Sequence, residues 1–147
     1  TRSRGDALVL REGVGTGARW SYRCEGGDPL GLGGDLITLD TIAAHDATSD
    51  SDYPDALVQL AAVVPSARAG DFILSATPGW DFRDRYEPTP HVSTHGALHR
   101  EHMLVPLLID RPIARTPRRT ADVMPSALSL LHLPVPDALD GIDCLTV

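Results

Sequence analysis

The chain reads as an α/β protein, and three observations predict it. An apolar stripe at helical spacing, Leu57, Leu60, Ala61 and Val64, is followed by Pro65 and Gly70, which end a helix. Next come Phe72, Ile73 and Leu74, three consecutive apolar residues of the kind found in a strand covered on both faces. A second such run, Met103 to Ile109, precedes a second helical pattern. Helix, tight turn and buried strand in alternation predict a partly parallel sheet with helices packed on it.

From the N-terminus, Ala7 to Leu10 and Arg19 to Arg23 predict a hairpin. The first is a short apolar run, and the second alternates polar and aromatic residues. Gly13, Gly15 and Gly17 punctuate the turn between them. That spacing lacks the full dinucleotide-loop pattern and the helix that should follow it. Residues 26–34 form a second glycine-rich loop, and residues 36–44 suit either a strand or a helix. The expected division is a hairpin and turn-rich region over 1–48 and an α/β portion over 49–147.

A helix is expected from about Tyr53 to Val64, with Asp52 as its cap and Pro54 near its first position. Asp50, Asp52 and Asp55 match no calcium loop and read as acids favoured at a helix start. Residues 71–76 are the first buried strand. The charged, proline-bearing loop after them leaves the carboxyl end of that strand, where ligands gather in open α/β sheets. Asp81, Arg83 and Asp84 are therefore candidate site residues. Met103 to Ile109 is the second buried strand, set near an edge or bulge because Pro106 lacks an amide donor. A last helix begins at Thr120, with Val123, Ala127, Leu130 and Leu131 facing inward.

Four histidines, at 91, 95, 99 and 102, precede the second strand. Pro88, Pro90 and Gly96 interrupt any single helix through them, so a short helical turn is expected only after Gly96. His95 stands apart, held between Thr94 and Gly96 on a turn that leaves its imidazole uncrowded. Such a ring can face a metal or a phosphate.

The 147 residues carry a net charge of −7, which argues against a nucleic-acid module needing a basic face. All 13 basic residues are arginine, and those from Arg111 to Arg119 form the one basic patch in the sequence. The two cysteines, Cys24 and Cys144, make no CxxC pattern and are expected as free thiols of a reducing compartment, which favours a soluble, cytoplasmic protein. No apolar run reaches the roughly 18 residues that span a bilayer, and no partnership with membrane or nucleic acid is expected. The chain starts at Thr1 and reads as a processed chain or a piece of a longer one.

Three further stretches carry a resemblance: GDFILS from Gly70, then STHGALHREHMLVPLLI, then RTADVMPSALSLLHLPVP with DGID after it. Together they resemble the C-terminal part of the alkaline phosphatase superfamily, in its type I phosphodiesterase and nucleotide pyrophosphatase branch, over roughly residues 50–147. The resemblance implies a partial alkaline-phosphatase-like layered sheet with flanking helices, following the N-terminal hairpin region. It implies a metal-dependent phosphohydrolase with two metal ions, zinc or another divalent metal, in the parent enzyme. The histidine of the Thr-His-Gly turn ligates one metal in that family, which carries over to His95. Thr94, His91, Asp81 and Arg83 are the substrate-binding candidates.

The adjacent Asp-His pair and the Thr or Ser nucleophile of the family are missing. His45-Asp46 has the reverse order and lies outside the matching part. The site here is thus incomplete, with no catalytic residue assigned and no activity expected of the chain alone. The expected partners are the N-terminal remainder of the same protein or a second copy of the chain, with a phosphate ester as the parent's substrate. The alternative is a non-catalytic binding or structural module derived from that fold.

Overall fold

The computed structural model describes residues 4–14, 17–82, 89, 93, 95–116 and 118–145. It is mixed α/β, with a three-stranded antiparallel sheet and four α-helices among the described residues. The strands are β1 (Asp6–Glu12), β2 (Arg19–Glu25) and β3 (Leu36–Leu39), in the order β1-β2-β3. The helices are α1 (Thr41–Thr48), α2 (Ala56–Val63), α3 (Arg100–Met103) and α4 (Val123–Leu130). The chain divides into two compact units, one of residues 1–11 and 19–105 and the other of residues 12–18 and 106–147.

In the first unit, the alternation along β2 sets the core. Trp20 and Tyr22 are buried on one face of the strand. α1 and α2 pack against β2 and bring in Ala44, Ala56, Leu57, Val58 and Ala61. Opposite β2, Trp20 pairs with Leu39 and Tyr22 with Leu36, so β3 spends one more residue than β2 between the two pairs. That extra residue is a bulge, and Thr38 there adopts φ +57°. The ambiguous stretch 36–44 thus resolves as β3 followed by the start of α1. Asp40 accepts a hydrogen bond from the amide of Ala43 (2.8 Å) and caps that helix.

The loop after β2 is organised by Asp28. One carboxylate oxygen accepts from Tyr22 Oη at 2.7 Å and from the amide of Gly31 at 2.9 Å, and the other from the amide of Gly33 at 2.7 Å. Burial opposes the charge, but the bonds from Tyr22 and from the amides of Leu32, Gly33 and Gly31 outweigh it. The pKa of Asp28 is therefore lowered.

α2 lies where the sequence predicts a helix, but Asp55, not Asp52, is its capping residue. Asp55 is buried in the left-handed region, at φ +60°. Its carboxylate accepts from Gln59 Nε2 at 2.7 Å and pairs with His45 Nδ1 at 3.3 Å, and its amide donates to Thr48 Oγ1 at 2.9 Å. The pairing of α1 with α2 holds this uncommon conformation. The carbonyl of Asp52 instead accepts from the amide of Arg100 at 2.8 Å, tying α3 to the start of α2.

The largest departure concerns the two buried strands. Residues 71–76 belong to no strand, and Phe72 and Leu74 are 89% and 73% exposed. Residues 104–109 likewise lie outside the sheet, with Leu108 94% exposed. Runs of apolar residues encode cover on both faces, and among the described residues no element supplies it to these segments.

In the second unit, a single turn of 3₁₀ helix (Thr120–Asp122) leads into α4. Its centre is Asp122, 4% exposed, not the apolar face that the spacing predicts. One oxygen of Asp122 accepts from the amides of Arg118 and Arg119 at 3.0 and 3.1 Å, the other from the amide of Ile142 at 3.0 Å. Ser126 Oγ donates to the Asp122 carbonyl and accepts from the amide of Cys144. Pro125 and Ser126 therefore face inward, while Val123 and Leu131 are 48% and 65% exposed. Thr120 is not the cap, because the capping position belongs to Arg119.

Candidate functional site

The segment carrying His95 lies in the first unit, against residues 74–82. Two hydrogen bonds build this corner. The amide of Leu98 donates to Ser75 Oγ at 3.1 Å, joining the two segments. The amide of Trp80 donates to the carbonyl of Thr77 at 3.0 Å, closing the turn Thr77-Pro78-Gly79-Trp80. Gly79 has φ +82°, which suits the third position of a type II turn with proline at the second. That turn brings the chain back so that Trp80, Asp81 and Phe82 wall a pocket of about 150 Å³ with Ser75, His95 and His102.

Gly96 has φ +96°, and a β-carbon built on it would meet no atom within 4 Å. The glycine is there for its backbone conformation rather than for close approach. Any other residue would strain the turn that presents His95. His95 is exposed, and among the described residues its ring makes no hydrogen bond.

The other histidines of the cluster are committed differently. His102 Nδ1 accepts from the amide of Ala97 at 3.3 Å. A neutral imidazole that accepts at Nδ1 carries its proton on Nε2, so His102 keeps no lone pair for a metal in this arrangement. His99 Nδ1 accepts from the amide of Glu101 at 3.4 Å, and its ring meets Tyr53 edge-on at 6.0 Å. His99 is thereby part of the packing between α3 and the start of α2. Only His95 of the three keeps a ring free to ligate.

His95 and Asp81 thus line one pocket, while Thr94, His91 and Arg83 lie outside the described residues. Sequence reasoning did not single out Trp80, Phe82 or His102 as pocket residues. The Thr-Pro-Gly-Trp turn is the signal that marks the first two. Among the described residues no three His, Cys, Asp or Glu side chains are grouped to hold a metal. The pocket thus offers one uncommitted imidazole among the described residues, short of the three protein ligands a catalytic zinc generally takes.

Both cysteines are free. Burial raises the thiol pKa of Cys144, and burial followed by the charges of Asp28 and Asp35 raises that of Cys24, so neither is poised as a nucleophile. Among the described residues no helix is long and apolar enough to cross a membrane. Comparison with family profiles, with curated proteins and with solved structures returns no match.

Proposed function

We propose that this chain is the C-terminal portion of a metal-dependent phosphoric ester hydrolase of the phosphodiesterase and nucleotide pyrophosphatase type. Its two exposed apolar segments, 71–76 and 104–109, would belong to an alkaline-phosphatase-like layered sheet completed from outside these residues. The observation that carries the reading is His95, an exposed and uncommitted imidazole on a glycine turn at a pocket wall. His95 would hold one divalent ion, zinc or another, and the remaining ligands would come from the N-terminal remainder of the protein. The ion, when bound, supplies Lewis acidity to a phosphoryl oxygen. His102, which lines the same pocket, would donate a hydrogen bond from Nε2–H to a phosphate ester, and Asp81 would bound the space available to it.

The chain alone is expected to turn over neither p-nitrophenyl phosphate nor its bis-ester in the presence of zinc. Turnover that His95→Ala abolishes would overturn the fragment reading. Zinc titration followed by histidine ring resonances should move His95 before His99 and His102. An unmoved His95 would remove the ligand assignment.

A second reading has its own support in Phe72, Ile73 and Leu74, exposed together outside any strand or helix. They favour a non-catalytic interaction module, whose partner is the remainder of the protein or a second copy. Catalysis by a longer form of the protein that survives His95→Ala would favour this module over the enzyme.

A further inference from the structure

We draw no further inference here: the strongest candidate, the exposed apolar surface patch of Phe72, Ile73 and Leu74 in the first unit, carries nothing because nothing in the structure shows what covers it.

Discussion

Replacing Asp122 with alanine should strip the second unit of its organising acceptor. Three backbone amides, of Arg118, Arg119 and Ile142, lose their partner at once. Arg118 is exposed, so water can satisfy its amide. Arg119 and Ile142 are half-buried, and a donor left unsatisfied in such a place costs about 1–3 kcal/mol. The expected loss is about 2–4 kcal/mol. With a urea m-value of about 1–3 kcal/mol/M, the midpoint should fall by roughly 1 M or more. Asp122→Asn is the sharper test. An amide has one acceptor oxygen, and its NH₂ would face an N–H on the other side, so asparagine should recover less than half of the loss. Hydrogen exchange at Ile142, beside a urea titration, reports the unit in which the bond lies. Asparagine within about 0.5 kcal/mol of the parent would refute the account, because it would mean that the two oxygens are not both needed.

Other outcomes follow from the same geometry. Gly141→Ala would drive a β-carbon into the carbonyl of Ala121, so it should destabilise the second unit by at least about 2 kcal/mol in the same titration. The carboxylate of Asp28 titrates below its ordinary value in the folded chain. Its stabilising effect is therefore present above the unfolded pKa and is lost as pH falls through the folded one; Asp28→Asn should flatten that acid limb of a stability profile. A thiol-reactive disulfide reagent should label Cys24, which is partly exposed, and reach the buried Cys144 only after denaturant is added. Gly96→Ala should reduce any zinc-induced shift at His95 without unfolding the chain, since it strains the turn but meets no atom.

Much of the fold was legible where local pattern and local structure coincide. The alternation from Arg19 to Arg23 encodes β2, and the spacing of Leu57, Leu60 and Ala61 encodes α2. The pattern misled where burial depends on distant chain. Phe72 to Leu74 carry the composition of a covered strand, but composition does not contain the neighbours that would cover it. The inward face of α4 was misjudged for another reason. Hydrogen bonds of Asp122 and Ser126 to residues 142 and 144 orient that helix, and a hydropathy period is blind to them. At the site, the glycine turn beside His95 was legible, because glycine has few other uses there. The commitment of His102 to the Ala97 amide was not, since it depends on which nitrogen a fold happens to meet.

Were a second copy to cover the bare segment around Phe72, the behaviour of this protein would become a matter of dose. Any association that hides those side chains stabilises the folded chain by mass action, so its melting temperature should climb as the solution is made more concentrated. Aspartate in place of Phe72 should make melting independent of concentration.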